Sequence, residues 1–231
     1  MITLVGTGHV FDLSAAVNRI LIEKEPEVVC IELDEQRYKL LLKKKKNDDQ
    51  YKIDRQNLPI LYKLFLRNQE NAAKKYGVDP GDEMLAAIKF AQSHQLPIEF
   101  IDVNAQETYE KTIGAMSSME KIKLSLIGIL LTFFGWINNY RKQADDEIEK
   151  IEKNFDEKLK QLEKNLPTIK RLIIDDRNKY MSKKLIKIND KYKKILAFVG
   201  DGHAPGISKI LQSNKIEYET IRLKDLNKKV R

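Results

Sequence analysis

Two short sequences, one near each end of the chain, repeat an apolar run followed by Gly-x-Gly-His. They are ITLVGTGHV at residues 2–10 and LAFVGDGHAPGI at residues 196–207. A helix-like segment follows each copy, and then a strand-like one, EPEVVCIEL at 25–33 or KIEYETIRL at 215–223. A strand, a glycine turn, a helix and a further strand are typical of parallel sheets, so the pattern predicts an α/β fold in which the two copies meet in space.

The remaining segments extend this prediction to a mostly parallel sheet flanked by helices, with two pseudo-repeated strand–Gly-x-Gly-His–helix units. A third strand is expected at 97–102, and a helix at 168–189. Between them, an apolar run and a charged stretch with apolar residues every three or four positions end at Pro167. This part predicts a long inserted helical hairpin. The predicted domains are an α/β core of residues 1–104 and 168–231, and a hairpin insertion of residues 105–167.

Composition limits the class of protein. The chain has 231 residues, a formal net charge of +8 and a single cysteine, Cys30. One thiol excludes an internal disulfide or a multi-thiolate zinc site, and it favours a cytoplasmic protein. Basic residues are mixed with acidic ones, so a lysine-rich surface is expected rather than a nucleic-acid partner. No signal peptide is visible, and the apolar run Leu124–Ile137 is shorter than the roughly 20 residues that span a bilayer.

The histidines of the two repeated motifs are the first candidate site residues. His9 and His203 each follow a predicted strand, at the sheet edge where ligands of parallel sheets bind. Imidazole is a common ligand for divalent metals such as Mn, Co and Zn. A purely structural role for each histidine, as a helix cap or a hydrogen-bonded core residue, is the alternative. The neighbouring glycines would allow close approach of the backbone; they are Gly6, Gly8, Gly200 and Gly202.

Carboxylates near the ends of the second and third predicted strands are expected at the same edge. Glu32 shares a strand face with Val28 and Cys30, and it interrupts a buried strand near its carboxyl end. It is the candidate third metal ligand, or a general base, and the sequence leaves both roles open. Asp34 suits an exposed strand end or a helix N-cap, and Asp102 is a candidate supporting residue.

Two further candidates lie on predicted helices. Asp176 and Arg177 fall in rows of apolar residues spaced by four, such as Ile173–Arg177–Met181. A buried arginine needs a partner, which predicts a carboxylate or a bound anion beside Arg177, or else a structural Asp–Arg pair. Glu83 lies in a predicted first helical turn and is a catalytic candidate. The third histidine, His94, is expected at the surface.

These motifs together resemble the TraB/PrgY family, the pheromone-shutdown group that belongs with the Tiki proteases and is distantly similar to erythromycin esterases. The resemblance covers nearly the whole chain outside the predicted hairpin. It rests on GTGH at 6–9, VVCIELDEQR at 28–37, GDEM at 81–84, IDVN at 101–104, DDRNKYM at 175–181 and VGDGHAPGI at 199–207.

The resemblance implies a metal-dependent active site formed by two G-x-x-H histidines, a strand glutamate and a helix arginine. These roles fall on His9, His203, Glu32 and Arg177. The family often has glutamate before that arginine, whereas this chain has Asp176, which puts a direct ligand role for that position in doubt. Many prokaryotic members continue into C-terminal transmembrane helices, so this chain is expected to be either a soluble domain or part of a longer membrane protein.

Three functions follow as hypotheses. The first is a metal-dependent hydrolase that acts on a peptide or a small acyl compound, with an ion that lowers the pKa of bound water. The second is a peptide-binding, regulatory module that cuts nothing. The third concerns assembly, because the Leu124–Ile137 run could form a homo-oligomer contact, lie on a membrane surface or pack inside the hairpin itself.

Overall fold

A buried parallel sheet is the centre of the computed structural model, which describes residues 1–8, 13–45, 81–134 and 155–228. Its strands are β1 (Ile2–Thr7), β2 (Val28–Ile31), β3 (Ile98–Phe100), β4 (Ile195–Gly200) and β5 (Tyr218–Ile221). The strand order is β3-β2-β4-β1-β5, and every neighbouring pair is parallel. The predicted fold class, an α/β protein with a mostly parallel sheet flanked by helices, is therefore confirmed.

The helices of the structure follow the strands along the chain. They are α1 (Ser14–Lys24), α2 (Glu35–Lys45), α3 (Asp82–Ser93), α4 (Ala105–Ala115), α5 (Ser118–Phe134), α6 (Phe155–Asn165), α7 (Pro167–Ile169), α8 (Asp176–Asn189), α9 (Ala204–Ser213) and α10 (Leu223–Lys228). A π-helical turn, Lys170–Asp175, joins α7 to α8.

The burial of each strand follows from its position in the sheet. The three central strands are composed almost wholly of buried residues, because sheet neighbours and helices enclose them. The edge strands β3 and β5 are half-buried.

Thr7 of β1 pairs with Gly200 of β4, so the strands that precede the two Gly-x-Gly-His motifs are adjacent. His9 lies outside the described residues, and the pseudo-repeat stays a prediction.

One face of the sheet packs against α8 and α9. Residues two apart in a strand share a face, and strand positions on this side include Val28, Cys30 and Val199. Met181 and Leu185 of α8 meet them in one buried cluster, with Ile207 and Leu211 of α9.

The chain divides into two compact units, residues Met1–Ala105 with Asn178–Arg231, and residues Gln106–Arg177. The sequence-based boundary at 168 differs from this division, because α7 and the π-helical turn group with the preceding helices. The predicted helix over 168–189 is not one α-helix, because Lys170–Asp175 form a π-helical turn before α8. In a π-helical turn the backbone bonds run from residue i to i+5, which rotates the helix face that follows.

The second unit contains the described part of the predicted insertion. Glu120, in the first turn of α5, accepts hydrogen bonds from Ser117 and Thr168 and so links α5 to α7.

The predicted hairpin bend falls within 135–154, outside the described residues. The Leu124–Ile137 run lies in α5 as far as residue 134, and its predicted partner or membrane surface stays a prediction. Among the described helices, none is both long and apolar enough to cross a membrane.

Candidate functional site

Glu32 emerges from the sheet directly after β2. Its backbone N–H donates to Phe198 O of β4 at 3.0 Å, which continues the β2–β4 ladder by one residue. Its side chain lies on the face of Cys30, the face covered by α8 and α9. Glu32 is 5% exposed. Its Oε2 accepts the Gly200 N–H at 2.5 Å, so the end of β4 fixes one carboxylate oxygen.

His203 reaches the same place from the neighbouring strand. It follows the turn after β4, where its N–H donates to Gly200 O at 2.8 Å, and it is the residue before α9. The side chain is 7% exposed. Its Nε2 lies 3.5 Å from Glu32 Oε1. The structure therefore brings together two of the three predicted metal ligands at the carboxyl end of adjacent parallel strands.

Asn178 completes the described part of the site. It lies in the first turn of α8, is 5% exposed, and its Oδ1 lies 2.7 Å from His203 Nδ1. The ring of His203 is thus held between a carboxamide at Nδ1 and a carboxylate near Nε2. Buried imidazole, carboxylate and carboxamide groups that lie this close together can bind a cation and orient a polarised substrate group.

Asp201, between Gly200 and Gly202, shapes the loop that carries His203. Its N–H donates to Thr7 O at 2.9 Å, which ties the loop to β1. A side chain at Gly6 would occupy the space of the Asp201 carboxylate. The glycine at position 6 is therefore needed for the close approach of β1 to the loop that follows β4.

Asp34 and Asp102, predicted as supporting residues, have clear structural roles. Asp34 Oδ1 accepts the N–H groups of Gln36 and Arg37 at 2.9 and 3.0 Å, as an N-cap of α2. Its other oxygen accepts the Ala105 N–H at 3.3 Å, where α4 begins. Asp102 pairs with Arg37 Nη1 at 3.3 Å. These carboxylates therefore hold helix starts at the sheet edge where Glu32 lies.

Arg177 and Asp176 are not placed as the unbroken-helix pattern predicted. Both are half-buried, and Tyr180, in the same predicted row as Asp176, is 39% exposed. The buried face of α8 begins instead at Asn178 and continues through Met181, so Arg177 lies beside this face and not within it. Arg177 Nη1 donates to Ile173 O at 3.4 Å within the second unit.

The other predicted candidates are placed as follows. Glu83 is 1% exposed in the first turn of α3, which packs against α1 and β2. His94 is exposed after α3 and stacks on Phe90, as expected of a surface residue. Within the described ranges, no three His, Cys, Asp or Glu side chains form a group that could hold a metal. His9, the predicted third ligand, lies outside them.

Sequence reasoning missed Asn178. The residue follows Arg177 directly, and the motif containing it was interpreted through Arg177 alone. A usable signal existed, because Asn178 stands at the start of an i, i+3, i+4, i+7 row whose other members include Met181 and Leu185. A polar residue that opens a buried helical row requires a polar partner.

Comparison with known proteins places the chain in a family. The sequence profile of the TraB/PrgY/gumN family matches residues 1–219. The chain is similar to the uncharacterized protein MJ1365 of Methanocaldococcus jannaschii, with 28% identity over 219 residues. This match covers 91% of the chain and 53% of that protein, so the chain spans about half the length of the relative. The profile covers both Gly-x-Gly-His motifs, Glu32 and Asn178, and the chain therefore belongs to the TraB/PrgY/gumN family.

Proposed function

We propose that this protein is a metal-dependent hydrolase of peptidase type, which acts on a peptide or another acyl compound. The proposed relationship to the Tiki proteases, and more distantly to the erythromycin esterases, rests on the motifs that carry the family resemblance. The proposed metal ligands are His203, Glu32 and His9. The ion would be divalent, with Mn, Co and Zn as candidates.

The observation that carries this proposal is the 3.5 Å between His203 Nε2 and Glu32 Oε1. A charge-assisted N–H···O bond is usually about 2.7–2.9 Å long, so the two atoms are too far apart for a strong one. Two ligands on one tetrahedral ion, each about 2.1 Å from it, lie about 3.4 Å apart. The spacing, the burial of both side chains and the N/O donor types all fit a shared cation.

The donor set has two described members and needs a third, since catalytic zinc-type sites commonly use three protein ligands and keep one position open. Thr7 pairs with Gly200, and His9 follows Thr7 by two residues in the sequence. His9 is therefore the histidine whose position along the chain suits the remaining ligand. The alternative donor on the described side, Asn178, is already engaged at His203 Nδ1.

The residues have distinct tasks in this proposal. The Gly200 N–H binds Glu32 Oε2 and keeps the carboxylate plane fixed. Glu32 Oε1 would then ligate the ion, in preference to its alternative role as the general base for the attacking water. His203 would present its Nε2 from the loop at the end of β4, which Asp201 ties to β1 and to the residues after β5. A bound divalent ion would supply a polarised substrate carbonyl and a water of lowered pKa. The role predicted for Arg177 is not required here.

Peptide turnover tests this proposal. Purified protein is loaded separately with Mn, Co or Zn, incubated with a peptide library and analysed by mass spectrometry, beside a sample treated with chelator. We expect metal-dependent cleavage that is lost in His203→Ala. His94→Ala is the matched control, because it removes an exposed histidine outside the site and should leave cleavage unchanged.

The competing function, a peptide-binding regulatory module, gives a different result in the same experiment. Such a module would retain intact peptides and release no fragments under any metal. Circular dichroism of every variant separates loss of the site from loss of the fold. Folded wild-type protein that cuts no peptide with any of the three metals would contradict the hydrolase proposal.

A further inference from the structure

The contact between Asn178 and His203 joins two elements that are distant in sequence. Asn178 lies in the first turn of α8, and His203 directly precedes α9. Their Oδ1 and Nδ1 atoms are 2.7 Å apart, and both side chains are at least nine-tenths buried. Water therefore has little access to compete for this bond, and the carboxamide is a hydrogen-bond partner of the ring on its Nδ1 side.

A neutral imidazole carries one hydrogen, on either Nδ1 or Nε2, and the hydrogen bond at one nitrogen decides which. A carbonyl oxygen only accepts hydrogen bonds, so a bond to Asn178 Oδ1 requires the hydrogen on Nδ1. We propose that Asn178 is a positioning residue that holds His203 in the Nδ1–H form. The lone pair of Nε2 is then directed to the side on which Glu32 lies.

Gly206 provides a second, independent observation. It lies in the first turn of α9, where a Cβ would fall on the Nδ2 atom of Asn178. Alanine is the better helix former by up to about 1 kcal/mol, so a glycine here gives no local benefit to α9. The absence of a side chain leaves space for the carboxamide, which packs with Nδ2 over Gly206 and Oδ1 at the ring.

The tautomer claim concerns the metal-free folded protein and stands whether or not the proposed function is right. Its consequence for metal binding rests on the proposed function. A ligating histidine is normally oriented by a hydrogen bond at its other nitrogen, and loss of that bond typically weakens metal binding by about 10–100-fold. Asn178 would supply this support to His203 Nε2.

Nitrogen NMR of the ring tests the inference directly. The protein is labelled with ¹⁵N-histidine, kept metal-free at mildly alkaline pH, and its long-range ¹H–¹⁵N correlations are recorded. With three histidines in the chain, His203→Ala and His94→Ala assign the His203 signals. We expect the Nδ1–H pattern for His203 in wild-type protein. An Nε2–H or doubly protonated ring there would overturn the inference.

Four variants separate positioning from mere packing. Asn178→Leu keeps the side-chain size but lacks the acceptor, and it should lose the single Nδ1–H pattern. Asn178→Asp keeps an acceptor oxygen and should retain it. Gly206→Ala should resemble Asn178→Leu, because it displaces the carboxamide without altering residue 178. Ser182→Ala changes a buried polar side chain one turn further along α8 and should leave the ring signals unchanged.

Failure of the tautomer inference and failure of the proposed function give different experimental results. If Asn178→Leu and Gly206→Ala both leave the Nδ1–H pattern intact, Asn178 does not set the tautomer. Metal titration of the same variants forms a separate arm, in which Asn178→Leu should bind at least about 10-fold more weakly than wild type and Asn178→Asp, which keeps the acceptor oxygen, should not. Wild-type protein that binds none of Mn, Co or Zn contradicts the proposed function and leaves the NMR result in force.

Discussion

Asp201 and Arg222 form a two-point ion pair, with Nε 2.8 Å from Oδ1 and Nη2 2.6 Å from Oδ2. Asp201 Oδ1 also accepts the Leu223 N–H at 3.0 Å, where α10 begins. The carboxylate therefore ties the loop that carries His203 to the segment after β5. The planar fork of arginine matches a carboxylate at two points, which fixes the direction of the loop as well as its distance.

Arg222→Met should destabilise the first unit by about 2 kcal/mol, because it leaves a largely buried carboxylate with fewer charge-assisted partners. Arg222→Lys should recover only part of this loss, since an ammonium cannot bind both oxygens in the same way. Urea unfolding followed by circular dichroism gives the comparison. Lys24→Met is the control, because the Lys24–Glu219 pair at 2.7 Å is more exposed and should be worth less than about 1 kcal/mol. Equal losses in Arg222→Met and Lys24→Met would contradict the anchoring role.

Ser182→Ala should leave the free energy of unfolding unchanged or raise it by up to about 1 kcal/mol. Ser182 is 0% exposed, and its Oγ finds no hydrogen-bond partner among the described residues. Removing a buried, unsatisfied hydroxyl relieves a desolvation cost, and alanine also favours the helix. Thermal unfolding measures the difference. Ser208→Ala is the contrast, because Ser208 Oγ lies 3.0 Å from Thr220 Oγ1. Loss of that hydrogen bond should lower the free energy of unfolding by about 1 kcal/mol. A clear loss in Ser182→Ala would show a bond to this hydroxyl.

Glu120 makes the stability of the second unit depend on pH. Burial acts to raise the pKa of this carboxyl, but hydrogen bonds from the backbone and hydroxyl groups of Ser117 and Thr168 outweigh it, and the pKa falls below its ordinary 4.5. A lowered pKa in the folded state means that the stabilisation is present above the unfolded value and is lost as pH falls through the folded value.

Glu120→Gln should therefore cost about 1–3 kcal/mol at neutral pH and much less in acid, where the wild-type carboxyl is itself protonated. Thermal unfolding of wild type and variant across the acid range measures this convergence. Glu157→Gln, at an exposed position of α6, should show no such pattern. A Glu120→Gln difference that stays constant down to low pH would contradict the assigned contacts.

Cys30 should not react with thiol reagents in the native protein. Burial in β2 raises the pKa of its thiol, and the charge of Glu99 adds to the effect, so almost no thiolate is present at neutral pH. Labelling with an aromatic disulfide reagent should be complete only after unfolding, and its rate in the native state should follow the opening of the sheet. Rapid labelling of folded protein would contradict the placement of Cys30 in the core.

The fold was largely predictable because its signals are local. Apolar runs such as Ile2–Val5 and the residues around Val28 and Ile195 alternate with helical segments, and this alternation predicts a parallel sheet. The strand order could not be derived, since it depends on which helices cover which face. The π-helical turn Lys170–Asp175 was also missed, because nothing in its composition distinguishes it from an α-helix.

The candidate site was predictable only as far as strand geometry reaches. Glu32 and His203 follow adjacent strands, and a shared edge brings such residues together. Asn178 opens the buried row of α8 that continues with Met181, whereas the sequence-based interpretation centred the apolar face on Arg177. The pairing of Asp201 with Arg222 could not be predicted for a different reason. Arg222 follows β5, and the sequence does not give the position of that strand at the sheet edge.

The most direct test of the central claim, that Glu32 and His203 share one divalent cation, is elemental analysis of the purified protein. Wild-type protein, Glu32→Gln, His203→Ala and the control His94→Ala are each exposed to Mn, Co and Zn, freed of excess metal and measured per chain. We predict stoichiometric metal in wild type and His94→Ala, and strongly reduced metal in both site variants, with all four folded. Metal content that is unaffected by both site variants, or absent from wild type, would contradict the claim.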